Sequence, residues 1–394
     1  MPKKKGQNEG TISKRADGTW WGRITVGRDD NGRQKRKAFY GKTRGEVQKK
    51  ITIALNDLQN GVFVETSNIT LAQWLDNWFN DYAANHIKHS TKVSYDHIIH
   101  NHINPVIGHV KLSDLRPDIL QKFYNDKSES GRLDGKGGLN AKSIKNIHNM
   151  LHEALEQARD NNMIARNVSE LVTLPQIVKR EMRVLSPDEH KKVLEAAESE
   201  KYGFCITLAL ATGMRVGELM ALKWVDINFD DNSVSICRSL NRFKNFDESQ
   251  DMKTVIVISE PKTKTSKRII PLTDKIMADL KALSISQDKE KTFCGESYND
   301  NGYIFASPLG ECIEPRTMQD VFKRILKAAE VDDANFHALR HTFATRALEA
   351  GVPAKIVSEI LGHANVSTTL DLYSHVSLDT KREAINKING FLPK

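Results

Sequence analysis

Two breaks in the hydrophobic patterning, at residues 63–69 and from Pro175 to Val184, cut the 394-residue chain into three unequal parts. A chain interrupted in this way is expected to build several cores rather than one. The first part is short and holds all of the excess charge. Residues 1–60 carry 15 Lys/Arg against 6 Asp/Glu, whereas the remaining 334 residues carry 43 against 44. A segment so basic attracts phosphate backbones through Coulomb steering and counterion release. A solvated tail is the plain alternative, and an acidic membrane surface a weaker one, because no basic amphipathic helix accompanies the charge.

The basic segment is nevertheless patterned. Asp17-Gly18 and Asn31-Gly32 punctuate three β-prone runs, Thr11 to Ala16, Thr19 to Val26 and Gln34 to Tyr40. Asn-Gly between such runs is a strong hairpin signal. Thr43 and Glu46 then form a capping-box pattern ahead of Val47 to Leu58, and Gly61 offers a stop. The expectation is a three-stranded sheet packed on one helix over about residues 8–62, with Trp20, Trp21 and Phe39 in its core. Arg23, Arg28, Arg33, Lys35 and Arg36 then lie on or beside a ribbon able to enter a major groove.

The middle part, Leu71 to about Leu171, reads as all helical. Leu71, Trp74, Leu75, Trp78, Phe79 and Tyr82 recur at i, i+3, i+4 spacing. Ser90 is expected to cap a helix ending before Pro105, with further helices over Ser113 to Tyr124 and Asn140 to Asp160. The polar loop 128–139 is expected to be mobile. His97, His100 and His102 tempt a metal assignment, but no acidic or cysteine partner stands at a recognised ligand spacing, so no metal is assigned.

The last part opens at Ser186-Pro187-Asp188-Glu189, which combines an N-cap, a proline at the first helical position and a capping-box Glu. It reads as mixed, mainly helical structure with a small antiparallel sheet. Helices are expected at 187–199, 202–211, 215–223, 274–284, 315–329, 336–350, 353–361 and 367–374. Strands are expected near Ser233 to Leu240, Thr254 to Ser259 and Lys267 to Leu272. The fold class is therefore multidomain α+β, divided 1–62, 63–172, a linker at 173–183, and 184–394. No run of about 18 apolar residues exists to cross a membrane, the N-terminus lacks a secretory pattern, and the four cysteines show no CxxC spacing. A cytoplasmic protein with reduced thiols is expected.

Four patterns in the last part carry chemistry. Ala211-Thr212-Gly213-Met214-Arg215-Val216-Gly217-Glu218 places Arg215 at the head of a helix with Glu218 on the same face. Pro261 to Leu272 is a basic turn between two strands, with Lys262 and Lys264 near its tip. His337-Ala338-Leu339-Arg340-His341 puts His337 and Arg340 within reach of one phosphate, and the general-base Glu of a zinc HExxH motif is missing, because residue 338 is Ala. Leu361-Gly362-His363 is followed ten residues later by Tyr373. Each pattern alone has an ordinary structural reading, such as a surface ion pair or a core tyrosine.

Together and in this order they resemble the tyrosine recombinase family, the site-specific integrases of phages and conjugative transposons. The strings ATGMRVGEL, HALRHTFAT and LGHANVSTTLDLY carry the likeness. The resemblance implies an arm-site-binding N-terminal domain, a helical core-site-binding domain and a catalytic domain, the last two clamping double-stranded DNA. It implies that Arg215, Arg340 and the two histidines supply charge and hydrogen bonds at the scissile phosphate, His337 helping to move the tyrosine proton and His363 hydrogen-bonding the phosphate, and that Tyr373 attacks it, giving a 3′-phosphotyrosine. It implies a protonating lysine, Lys262 or Lys264, with Lys262 the first choice, and it leaves Glu218 to orient Arg215 or its neighbour. No metal, ATP or other cofactor is implied. A homotetramer on DNA is implied, and an accessory excisionase or DNA-bending protein is a possible partner. A type IB topoisomerase and a non-catalytic DNA-binding regulator are the alternatives. The apolar residues of the tail 381–394 are expected to dock on a neighbouring protomer.

Overall fold

The computed structural model describes residues 11–28, 32–59, 68–178, 182–247, 249, 252–260, 267–370 and 382. The chain divides into two compact units between residues 179 and 180.

Within the first unit, β1 (Thr11–Lys14), β2 (Trp20–Arg28) and β3 (Gln34–Gly41) form an antiparallel sheet in that order, and α1 (Arg44–Gln59) packs on it. Alternation along β2 buries Ile24 against Val47, Ile51 and Ala54 of α1, with Trp20, Val26 and Phe39 at the margin. Gly22 is required at the contact, since a Cβ there would lie 2.7 Å from the Ile51 side chain. Trp21 departs from the expectation. It falls on the other face by register, where Arg23 stands 5.8 Å from its ring. At the head of α1, Thr43 accepts from the Glu46 N–H, but the Glu46 carboxylate takes the Lys42 N–H rather than that of Thr43.

The helical core follows. α2 (Leu71–Asn77) runs on as a π-helical turn over Trp78–Ala83, and α3 (His89–Ile98) does so over Ile99–Ile103. α4 (Asn104–Ile107), α5 (Pro117–Ser130) and α6 (Ala141–Asp160) complete it. Leu71, Trp74, Leu75 and Trp78 are buried with Phe123, Ile147, Leu151 and Leu155, and the Trp74 indole donates to the Ala154 carbonyl at 2.9 Å. Two expectations change. Ser90 does not cap α3, because the helix begins one residue earlier. Pro105 stands second in α4, within its first turn, so helix runs through the position where a stop was expected. The polar loop 128–139 carries two backbone bonds: the Arg132 N–H donates to the Gly137 carbonyl at 3.0 Å and the Leu139 N–H to that of Lys127 at 2.8 Å. A Cβ on Gly138 would meet the Ser128 carbonyl at 1.7 Å, so glycine permits this close return.

The second unit is centred on α8 (Gly203–Thr212), whose Cys205, Ile206, Leu208, Ala209 and Leu210 are all buried. A helix apolar on every side must be enclosed. α7 (Pro187–Ala197), α11 (Pro315–Ala328) and α12 (His337–Glu349) surround it, and the short α9 (Val216–Met220) follows it. The expected single run of strand from Ser233 to Leu240 is split into β5 (Ser233–Ile236) and β6 (Ser239–Lys244). The break lies at Cys237-Arg238, where the Arg238 guanidinium turns to the buried Asp226 carboxylate. β4 (Ile227–Asn228) and β8 (Arg268–Pro271) flank β5, while β7 (Thr254–Ser259) pairs with β6 in a separate two-stranded sheet. β7 and β8 thus belong to different sheets, and the segment 261–266 lies between them in sequence. With Lys262 and Lys264 it lies outside the described residues.

α10 (Asp274–Cys294) is a decade longer than expected. Only Ile276, Met277 and Leu280 are buried, so no apolar stripe marks its second half. Polar contacts hold that half instead: Gln287 donates to the Ile304 carbonyl at 2.7 Å and accepts from the Trp224 indole at 2.8 Å. α13 (Ala354–Leu361) and α14 (Val366–Leu370) end the described chain apart from residue 382. Tyr373 and the tail 381–394, Arg382 excepted, lie outside the described residues.

Candidate active site

Three turns supply the site. The first follows α8, where Gly213 adopts φ +64° and caps the helix by donating to the Ala209 carbonyl. No Cβ fits there, since it would meet Leu361 and Phe343 side-chain atoms at 2.6 Å. This turn presents Arg215 at the N-cap of α9. The Arg215 backbone N–H donates to one Glu218 carboxylate oxygen at 2.9 Å and its guanidinium to the other at 2.8 Å. Gly217 lets α9 approach β6, because a Cβ would lie 2.8 Å from the Leu240 carbonyl.

Glu218 is 3% exposed, and a buried carboxylate is costly unless it is fully paired. The pairing is completed by Arg268 from β8, itself buried, whose two terminal nitrogens reach the two Glu218 oxygens at 3.2 and 2.9 Å. Burial alone raises the Glu218 carboxyl, but hydrogen bonding and charge from Arg268, then from Arg215, hold it below its ordinary value. The Arg268 Nε donates to the Ile360 carbonyl.

The second turn is the head of α12, which carries His337 and Arg340 one helical turn apart. Arg340 is 2% exposed and donates to the Gly213 carbonyl at 2.8 Å and to the Leu361 carbonyl at 2.6 Å. Burial and the neighbouring Arg215 push its guanidinium down to about 9, and it remains cationic at neutral pH. His337 has an edge open to solvent and stacks edge-on to His341 at 4.6 Å. Desolvation, then the charges of His341, Arg340 and Arg215, bring His337 to about 4.

The third turn follows α13, where Gly362 takes φ +66°. His363 comes next, its N–H donating to the Ser358 carbonyl at 3.0 Å and its Nδ1 lying 2.8 Å from the Thr369 hydroxyl. Burial and the charges of Arg340, Arg215 and His337 lower it to about 4. Arg215, His337, Arg340 and His363 thus feel one another's charge, with Glu218 and Arg268 behind Arg215. The assembly offers two guanidiniums and two uncharged imidazoles to an anion.

Of the sequence candidates, Arg215, Glu218, His337, Arg340 and His363 are brought together, whereas Lys262, Lys264 and Tyr373 lie outside the described residues. Arg268 and Thr369 join the site without having been singled out; the basic run Lys267-Arg268 ahead of a strand is the signal Arg268 left. Among the described residues no group of three or more His, Cys, Asp or Glu is arranged to hold a metal ion. His102 is buried and contacts His97 at 5.3 Å, while His100 is exposed beside Asp96 and Asp76.

In the first unit, Arg23 and Arg36 fall on the sheet face opposite α1 by register, and Arg33 and Lys35 are exposed. Arg28 closes β2 opposite Gln34.

Residues 183–379 match the phage integrase family, and residues 70–128 match the phage integrase N-terminal SAM-like domain. A tyrosine recombinase XerC-like protein of Caldanaerobacter subterraneus subsp. tengcongensis is 34% identical over 376 residues, covering 93% of this chain and 94% of that one. Among solved structures, a Tn1549 transposon integrase in complex with transposon right end DNA superposes with a TM-score of 0.65 at 21% identity, over 82% of this chain and 100% of the other. A lambda integrase tetramer bound to a Holliday junction gives a TM-score of 0.54 at 23% identity, over 93% and 96%. At these identities the structural likeness is one of fold.

Proposed function

The chain belongs to the phage integrase family of tyrosine recombinases, enzymes that cut and rejoin DNA, and we propose that its chemistry is a transesterification at the site built around Arg215 and Arg340. It is a site-specific recombinase of mobile genetic elements. In this reading the Tyr373 phenolate attacks the scissile phosphorus, the P–O5′ bond breaks, and the 3′-phosphate is left on the tyrosine. Lys262, or Lys264 beside it, protonates the leaving 5′-oxygen. His337 accepts the tyrosine proton, and His363 hydrogen-bonds a non-bridging oxygen. Arg215 and Arg340 neutralise the charge that develops on those oxygens. Because a phosphodiester is exchanged for a phosphotyrosine, rejoining needs no ATP, and the cationic side chains can supply the stabilisation without a metal.

The observation that carries this reading is the pair of arginines, each fixed by a buried acceptor set and flanked by histidines that are uncharged at neutral pH. Preorganised donors of this kind need no reorganisation when charge appears on the phosphate.

The partners follow the same reading. The helical core and the catalytic unit bind double-stranded DNA at the core site, and the N-terminal sheet holds arm sites through Arg23, Arg28, Arg33, Lys35 and Arg36. Four copies act on a junction, as in the lambda integrase structure whose fold this chain shares. An accessory excisionase or DNA-bending protein would set direction, and the work is done in the bacterial cytoplasm, at the nucleoid. No described helix is long and apolar enough to cross a membrane.

The test is covalent trapping on a nicked substrate, with EDTA present. Wild type should give a protein–DNA adduct on a denaturing gel, and Tyr373→Phe and Arg215→Ala should not. Tight binding without an adduct would make the chain a regulator instead.

A further inference from the structure

Glu218 is shared. Its carboxylate oxygens accept from Arg215 on one side and from both terminal nitrogens of Arg268 on the other. Two guanidiniums therefore divide one negative charge. Arg215 is 39% exposed and Arg268 6%, so the charge left over emerges on Arg215, at the open side of the cluster. Without Arg268, Arg215 and Glu218 would form a closed, neutral pair. That pair would have to be pulled apart, or bound as it is, by an arriving phosphodiester.

We propose that Arg268 is a positioning residue for the recombination chemistry: by occupying the inner side of the Glu218 carboxylate it leaves Arg215 cationic and aimed outward, toward the scissile phosphate. This rests on the reading of Arg215 as a phosphate ligand. Arg268 is well placed for the task. It opens β8, where its backbone is fixed opposite Ile236, and its Nε is anchored on the Ile360 carbonyl. The next carbonyl, that of Leu361, holds Arg340. One side chain thus ties the charge of Arg215 to the turn that carries His363. A lysine would keep the charge but lose the planar fork that meets both carboxylate oxygens.

The proposal separates charge from scaffolding, and a second substitution distinguishes them. The full chain would be assayed as wild type, Arg268→Met, Arg268→Lys, Glu218→Gln and the double variant Arg268→Met/Glu218→Gln. The probes are short nicked duplexes tiled along the DNA that flanks the coding region. Single-turnover adduct formation, affinity for the same duplex and near-ultraviolet circular dichroism would be read for each variant. Arg268→Met should form adduct about 100-fold more slowly with affinity within about threefold of wild type. Adding Glu218→Gln should recover about tenfold or more, because it returns the positive charge to Arg215.

A folded double variant as slow as Arg268→Met, or slower, overturns the proposal, because a scaffold weakened twice does not recover. If Arg268→Met does not fold, Arg268→Lys decides. Because lysine keeps the positive charge and gives up only the fork, a loss of less than about tenfold supports the charge role, and a greater loss in a folded protein overturns it. Failure of both variants to fold makes Arg268 a structural residue and also overturns it. Absence of adduct from wild type on every duplex instead overturns the phosphate-ligand reading beneath it, and this proposal with it.

Discussion

The Arg340 guanidinium donates to the carbonyl of Gly213, 127 residues earlier in the chain, at 2.8 Å. Its other terminal nitrogen is fixed on the Leu361 carbonyl. A lysine offers one nitrogen and cannot keep both bonds from the same buried position. Arg340→Lys should therefore lose about 1–3 kcal/mol of stability through an unpaired carbonyl. It should also slow adduct formation by about 100- to 1,000-fold. Urea unfolding and single-turnover trapping measure the two effects separately; an unchanged unfolding midpoint would count against the geometry.

Stability should rise with pH across the histidine range. His337 and His363 are held near 4, below the ordinary value of 6.5, so the folded protein favours their neutral forms. The unfolded chain binds more protons in between. The stabilisation is present above about pH 6.5 and is lost as pH falls toward about 4. Unfolding midpoints measured across that window should show the slope, and His363→Gln should flatten it.

The Thr369 hydroxyl, 2.8 Å from the Nδ1 of His363, fixes the orientation of that ring. Thr369→Val keeps the shape and removes the bond. Adduct formation should fall about tenfold as the imidazole loses its preferred tautomer, while Thr369→Ser stays close to wild type. Equal rates for the valine and serine variants would remove the hydroxyl from the mechanism.

In the first unit, Trp74→Phe removes the buried indole bond to the Ala154 carbonyl while keeping most of the apolar body. The expected cost is about 1 kcal/mol, the net worth of the lost bond, because the Ala154 carbonyl sits inside α6 and keeps its helical partner; amide exchange in α6 reads it.

Arg23 and Arg36 share the open face of the N-terminal sheet. If they meet phosphates of arm-site DNA, Arg23→Ala and Arg36→Ala should each lower the steepness of log affinity against log salt by about 1. Unchanged slopes would move the contact elsewhere.

The five candidate site residues were legible because short patterns, each ordinary alone, resemble the tyrosine recombinase family when taken in order: Arg215 with Glu218, His337 with Arg340, and His363 just after a helix-ending glycine. Arg268 was not legible in the same way. Its partner Glu218 is 50 residues away, and nothing local distinguishes it from the other cations of a basic run. The carbonyls of Gly213 and Leu361 were invisible for a stronger reason, since a backbone acceptor has no letter of its own. The fold shows the same division. Apolar periodicity exposed α2 and α6, but the second half of α10 is held by Gln287 and escaped. The apparent strand from Ser233 to Leu240 hid a break at Cys237-Arg238, where both side chains turn to Asp226, eleven and twelve residues earlier.

The bond network of Arg340 also bears on safety. Its acceptors come from two separate turns and its own helix from a third stretch, so a nascent or partly unfolded chain has no such assembly. Loss of either turn would take an acceptor from Arg340, and on the proposed chemistry would take the phosphate's seat with it. On the proposed chemistry, DNA cleavage is thereby tied to completed folding of all three stretches.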